Sequence, residues 1–324
     1  MTASRTVPIR LAGVGPLLAP VAILLVLLGA LAALRRGVFT LDELNTDAAA
    51  AMTLILVATG ETIVILRGGI DLSVGGILSL ATSIAATRGP AGPAGMVAWA
   101  ALILAIGGAV GMLNGALISV LELQPFLVTL ATWSIVGGTA LIVLPSEGGS
   151  VPGWWVDAGA GTFAGESLAV WTLAALLLWW AWFRRTRLAV SIRAAGSNER
   201  SAFLCGVALG RMNVAAYGLS GLFAALGGLF LTSQTGSGSP TVGNDFVLPA
   251  VAAVVIGGTV LSGGRGGLVG TAIGAFILTI IGNVVFVLHI SSYWQPVAAG
   301  LILVFSVLAT SLGELTMARR DAAS

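Results

Sequence analysis

Apolar side chains run along this chain in long unbroken blocks rather than at every second or fourth position. A helix needs about 20 apolar residues to cross the hydrocarbon core of a bilayer. Blocks of roughly that length lie at 16–34, 48–66, 70–87, 95–120, 125–145 and 167–183. A polar, arginine-rich stretch at 184–211 interrupts them, and they resume at 212–233, 246–262, 266–288 and 294–313. The pattern predicts an all-α polytopic membrane protein of about ten transmembrane helices, with Gly-rich broken or re-entrant segments. Arg5 and Arg10 ahead of the first block, and small residues after it, also fit a signal peptide. Its apolar part is longer than the usual signal-peptide core, so a membrane helix is expected. The break at Arg67-Gly68-Gly69-Ile70-Asp71 is short, and the blocks beside it form either two spans or one re-entrant unit.

This pattern divides the chain into a cytoplasmic N-terminus (1–15), an N-terminal membrane half (16–183), a cytoplasmic loop (184–211), a C-terminal membrane half (212–313) and a cytoplasmic tail (314–324). Arginine placement sets the orientation, because cytoplasmic loops carry the excess of basic residues. With ten spans and the N-terminus inside, twelve of the arginines, among them Arg67, Arg184, Arg185, Arg187, Arg193, Arg200, Arg211 and Arg265, fall inside; only Arg35, Arg36 and Arg88 fall outside. Asp42, Glu43, Asp47, Glu147, Asp157, Glu166 and Asp245 then face out. The stretch 146–166, with Pro152, Trp154 and Trp155 among glycines, reads as an external loop at the membrane–water interface. Two Gly-rich breaks, 68–76 and 257–264, look alike, as interrupted helices in corresponding halves of a transporter do.

Composition sharpens the class. The chain is 57% hydrophobic and 9% charged, against about 25% charged in soluble domains. A soluble fold with so few charges would expose a large apolar surface and aggregate, whereas lipid solvates it. The 45 glycines fit close helix–helix approach in a membrane. There is no lysine, so the chain has no P-loop, whose Lys reaches the terminal phosphates. Any coupling to ATP must come from a partner. A single Cys205 and a single His289 argue against a disulfide or a metal site.

Several residues are candidates for chemistry. Asp71 and Ser73 suit capping of the following helix; alternatively Asp71 lines a solute pathway, since acids at membrane depth are costly and often functional. Glu61 interrupts an apolar helix and either pairs with Arg67 or snorkels, or faces the bundle interior and touches solute. Pro125 suits the first turn of its helix, Gln124 either caps that turn or bonds a sugar hydroxyl, and Phe126 either packs or stacks on a sugar face. Asn114 and Asn283 are amides that bond a neighbouring helix in most such settings, and Asn114 is also a pathway candidate. In the central loop, Ser197 or Asn198 would cap a short helix starting at Glu199 and ended by Gly206. With Phe203 and Leu204 among polar neighbours, that helix either docks another protein or lies on the membrane surface.

Five segments, in order between about residues 48 and 310, resemble ribose-type ABC transporter permeases: Gly68–Gly76, Gly111-Met112-Leu113-Asn114-Gly115-Ala116-Leu117-Ile118, Gln124-Pro125-Phe126-Leu127-Val128-Thr129-Leu130, Ala195–Val207 and Ala253–Gly266. The resemblance implies a pair of permeases, identical or paralogous, driven by two cytoplasmic ABC ATPase subunits and supplied by a periplasmic sugar-binding protein. ATP and Mg²⁺ then belong to the ATPases, and this chain needs no cofactor of its own. The resemblance assigns Gly196, Asn198, Glu199, Arg200 and Gly206 to ATPase coupling. Val247 and Pro249 depart from the acidic residues often found there, and Glu61 and Arg67 stand where Met or Gln, and Thr, are commoner.

The expectation is therefore a bacterial inner-membrane permease for a monosaccharide, not an enzyme and not a nucleic-acid binder, in contact with lipid. Asp71, Asn114, Gln124, Phe126 and Glu61 are expected along its pathway. Other solutes, such as a branched-chain amino acid or a nucleoside, fit the same machine, and an ion-coupled secondary transporter would draw on Glu61 and Asp71. An intramembrane enzyme would need a catalytic partner for His289, and none is evident. The internal breaks and polar helix residues argue against a purely structural subunit.

Overall fold

A computed structural model describes residues 15–90 and 92–291, together with residues 294, 297, 300, 301 and 304. Its elements are α1 (Gly15–Leu34), α2 (Leu41–Arg67), α3 (Ser73–Arg88), α4 (Pro93–Val120), α5 (Pro125–Val143), α6 (Gly153–Ala160), β1 (Thr162–Phe163), β2 (Glu166–Ser167), α7 (Leu168–Phe183), α8 (Arg187–Ser197), α9 (Glu199–Leu204), α10 (Leu209–Thr235), α11 (Asn244–Ile256) and α12 (Leu268–Val287). Six of them, α1, α2, α4, α5, α10 and α12, are long and apolar enough to cross a membrane. The apolar helices α3, α7 and α11 are shorter, at 16, 16 and 13 residues. The predicted run at 294–313 lies largely outside the described residues.

The helix ends follow ordinary rules. The Thr40 hydroxyl accepts from the Glu43 amide at the start of α2, Asp42 and Glu43 occupy its first turn and Arg67 its last, which complements the helix dipole. Proline opens both α4 and α5, where its missing N–H is no loss. The predicted run 246–262 is shorter as a helix, because Gly257 and Gly258 stop α11 after Ile256. The external stretch 146–166 is more ordered than a loop, with α6 and the two-residue β1–β2 hairpin inside it.

Interior and exterior are both apolar. The core is α2, buried along almost its whole length, with α10 beside it. Outer helices present Leu25, Val26, Val120, Ile135 and Ile142 outward. Such a surface is stable only where lipid, not water, solvates it, and the backbone bonds are satisfied within each helix.

α4 packs on α10 along a stripe of small residues. A methyl group added at Gly111 would lie 2.0 Å from the Tyr217 carbonyl oxygen, and one at Gly221 would lie 2.1 Å from that of Gly107. Glycines four residues apart along α4 let the backbones touch, the usual device for holding membrane helices together without a hydrophobic driving force. At one end of the bundle Asn45 clamps the hairpin, donating to the Gly165 carbonyl and accepting from the Ser167 amide. There the Ser239 hydroxyl also donates to the Glu147 carboxylate at 2.8 Å. The opposite end holds α8 and α9.

Candidate functional site

The site begins where α2 stops. Gly68 takes the left-handed conformation at φ 93°, which a Cβ would strain. Its N–H donates to the Ile65 carbonyl, and that of Gly69 to the Val64 carbonyl. This closure turns the chain back into the bundle and carries Asp71 with it, fully buried. Asp71 Oδ1 accepts from both the amide (3.0 Å) and the hydroxyl (2.5 Å) of Ser73, so Asp71 satisfies the first amide of α3, whereas the N-cap position is Leu72 and the Ser73 side chain caps no amide.

A chain of polar contacts then crosses the apolar bundle. The Asp71 amide donates to Glu61 Oε1 on α2 at 3.2 Å. Asn114 on α4 donates to the Ser73 hydroxyl at 2.9 Å and accepts from Thr132 on α5 at 2.6 Å. One connected path thus joins α2, the turn, α3, α4 and α5. Beside it, Glu61 Oε2 and the Tyr217 hydroxyl are buried without a hydrogen-bond partner, while the Ser220 hydroxyl faces the Asp71 carboxylate. Tyr217 and Ser220 come from α10, with Tyr217 against Gly69 and Ser220 against Gly60. A buried polar group left unpaired costs about 1–3 kcal/mol, so these oxygens are held at a cost in stability. Among the described residues no three His, Cys, Asp or Glu side chains gather into a metal-binding group.

The structure brings Asp71, Asn114 and Glu61 together and separates them from Gln124 and Phe126. The latter two are exposed at the start of α5. The Gln124 backbone carbonyl accepts from the Leu127 and Val128 amides, but its side chain caps nothing. The expected pairing of Glu61 with Arg67 is not formed: Arg67 Nη1 binds Glu199 Oε1 at 2.7 Å. Positions six residues apart on one helix point roughly 120° apart, which sends the two side chains to different neighbours. Thr132, Tyr217 and Ser220 escaped the sequence reading because each sits singly in an apolar run. The only signal was Tyr217 and Ser220 at a spacing of three, one helical face.

A second constellation lies at the α8–α9 end. Asn198, not Ser197, caps α9, accepting from the Ser201 amide at 2.8 Å. Gly206 closes the segment at φ 83°, donating to the Phe203 carbonyl, while the Val207 amide donates to that of Ala202. Phe203 and Leu204 are 66% and 77% exposed, and Asn198, Glu199, Arg200 and Gly206 share that open surface. Gly196 faces inward instead: a Cβ there would lie 1.9 Å from the Leu66 carbonyl oxygen. Arg193 lies over the Trp180 ring, 5.8 Å from its centroid. Partial burial, and then the nearby Arg184 charge, pull its guanidinium below the ordinary arginine range.

The sequence has relatives among known proteins. Residues 46–307 match the family described as branched-chain amino acid transport system / permease component. The ribose import permease protein RbsC of Escherichia coli K12 is 34% identical over 294 residues, 88% of this chain and 90% of that protein. RbsC of Bacillus subtilis is 37% identical over 261 residues, 78% and 80% of the two chains. The D-allose transport system permease protein AlsC of E. coli K12 is 34% identical over 257 residues, 78% of each. These relatives are transport subunits rather than enzymes, and no solved structure is a significant match to the chain. With a match spanning most of its helices and relatives aligned over most of both lengths, this chain belongs to the branched-chain amino acid transport system / permease component family, among its ribose-type ABC permeases.

Proposed function

We propose that this chain is the membrane-spanning permease subunit of an ATP-binding-cassette importer that moves a monosaccharide of the ribose or hexose type. The observation that carries the reading is the buried polar path from Glu61 to Thr132, with the unpaired Glu61 Oε2 and Tyr217 hydroxyl beside it, inside an apolar bundle. A polyhydroxylated solute offers the donors and acceptors those oxygens lack. When the helices part, its hydroxyls replace the contacts that Asp71, Asn114 and Glu61 make in the closed bundle. Gln124 and Phe126, exposed at the start of α5, flank the cytoplasmic mouth.

In this reading α3, α7 and α11 complete the membrane crossings with the segment 294–313, giving ten spans with both termini cytoplasmic in a bacterial inner membrane. The halves 16–183 and 212–313 flank the coupling loop 184–211. The exposed face of α9, with Asn198, Glu199, Arg200, Phe203 and Leu204, docks a cytoplasmic ATPase, which supplies ATP and Mg²⁺. A periplasmic sugar-binding protein loads the opposite end, and a second permease, identical or paralogous, completes the pathway. Receptor and ATP shift the balance of outward- and inward-open states only through their different affinities for the two.

Reconstitution tests the reading. Proteoliposomes holding the permease, its ATPase and its receptor are expected to take up labelled ribose, allose or galactose only with ATP inside reach of the ATPase. Uptake that needs no ATPase and stops when a proton or sodium gradient is dissipated would overturn it in favour of ion coupling through Glu61 and Asp71. Preferential binding of leucine or a nucleoside by the receptor would keep the machine and replace the solute.

A further inference from the structure

We propose that the Arg67–Glu199 ion pair is a positioning link that makes the Asp71 turn follow movements of α9. The inference rests on the reading of α9 as the ATPase-docking surface. Arg67 is the last residue of α2 and Glu199 the first of α9. Their side chains meet at 2.7 Å, the first 8% exposed and the second 63%. One end of the link is therefore sealed in the bundle and the other stands on the docking face.

The surrounding contacts explain why a link is needed. A Cβ at Gly196 would lie 1.9 Å from the Leu66 carbonyl oxygen, and one at Gly263 would lie 3.1 Å from the Gly68 amide nitrogen. With no room at Gly196 even for a methyl group, α8 lies directly against the end of α2 and pushes on it. Van der Waals contact transmits almost no tension, because its attraction is weak at each atom pair and vanishes on small separation. The Gly264 amide bonds the Leu66 carbonyl at 2.9 Å, but this ties the second Gly-rich turn to α2 and bypasses α9. The Arg67–Glu199 ion pair is the element that pulls.

Separation is strongly resisted, since it would strand a guanidinium in a buried place where Arg67 Nε already lacks a partner. The pull arrives where it matters. Arg67 stands four residues before Asp71 and on the same helix as Glu61, whose carboxylate accepts the Asp71 amide. Moving α9 outward therefore loads both sides of the Glu61–Asp71 contact.

The test uses the whole transporter in proteoliposomes, with labelled ribose as the probe solute. Arg67→Gln removes the charge from a buried position that no ATPase can touch. The expected result is normal ATPase co-purification with solute moved per ATP reduced about tenfold or more. Arg67→Lys, which keeps a positive charge facing Glu199 and leaves the docking face untouched, is expected to stay within about twofold of the starting protein. Unchanged solute per ATP in Arg67→Gln would overturn the link. So would an Arg67→Lys variant no better than Arg67→Gln. Should Arg67→Gln fail to insert, insertion and coupling retained in Arg67→Lys support the link, and their loss in Arg67→Lys refutes it. The docking reading is tested separately by Phe203→Asp with Leu204→Asp. If the ATPase still co-purifies with that variant, docking on α9 is wrong whatever Arg67 does.

Discussion

Two helices of this chain, α2 and α11, end by the same chemistry and lead to different uses. Gly68 and Gly258 both turn left-handed, at φ 93° and 84°. In each, the glycine N–H bonds a carbonyl three residues back and the next N–H one five residues back, Ile65 and Val64 in the first, Val255 and Val254 in the second. Aligned on that closure, Arg67 corresponds to Gly257 and Asp71 to Leu261. After the first stop the chain presents side chains: Arg67 to Glu199 and Asp71 to Glu61 and Ser73. After the second it presents backbone: Gly257 lies against the Gly270 peptide of α12, and Gly263, Gly264 and Gly266 all take positive φ. A shared stop signal thus marks where a helix breaks, and the residues after it decide whether the break serves chemistry or assembly.

The largest test of that contrast is Gly257→Val. A Cβ there would lie 2.3 Å from the Gly270 carbonyl atoms, and backbone cannot step aside without separating α11 from α12. The loss is expected to exceed about 4 kcal/mol, the range of severe overpacking. It is checked by the yield of monodisperse protein in detergent, expected to be near zero. A folded, transport-competent Gly257→Val protein would show that the second turn is no more an assembly element than the first.

Next in size is Asp71→Ala against its counterpart Leu261→Ala. Losing the Asp71 carboxylate leaves the buried Ser73 amide without its acceptor, worth about 1–3 kcal/mol. It also removes part of the proposed recognition capacity, so uptake should fall more than stability does. Leu261 is partly exposed, and its truncation should stay within about 0.5 kcal/mol. Thermal unfolding and uptake measured side by side read the asymmetry, and equal effects would erase it.

Asn114→Ala comes third. It strips a partner from both the Ser73 and the Thr132 hydroxyls at once, yet interhelical bonds in membrane proteins average only about 0.6 kcal/mol, with a maximum near 1.7. A lowered melting temperature with uptake reduced is the expected outcome. Unchanged melting would mean that α4 and α5 hold their places through glycine packing and apolar contact alone.

How much of this was legible in the residues follows from the kind of signal each feature leaves. Apolar blocks are long and self-contained, so the apolar helices were readable, as were the Asn198–Gly206 bounds of α9, which are local capping chemistry, whereas α6 and the polar α8 carry no such block and were not. Helix ends at Gly257 were misjudged because the apolar run continues past the glycines, and only the left-handed closure ends the helix there. Partners distant in sequence were not readable. Glu61 and Arg67 are near neighbours in the chain, and only the packing of α9 against α2 shows that Arg67 turns to Glu199. Gln124 and Phe126 lie close to Asn114 in sequence, yet the start of α5 faces out while Asn114 faces in.

The smallest expected effect joins the two regions themselves. α2 and α12 meet through Thr62 and Thr271, whose buried hydroxyls lie 2.7 Å apart. Each has one proton. Thr62 Oγ1 is 2.6 Å from the Ala58 carbonyl, whereas Thr271 Oγ1 is 3.4 Å from that of Gly267, so Thr62 donates along its own helix and Thr271 donates across to Thr62. Thr62→Val then lets Thr271 fall back on the Gly267 carbonyl, and Thr271→Val leaves Thr62 bonded to Ala58. Each single change should cost about 0.5 kcal/mol, with a coupling of similar size in the double-mutant cycle. A coupling near 2 kcal/mol would mean that this side-chain bond, rather than apolar packing, is the main tie between α12 and α2.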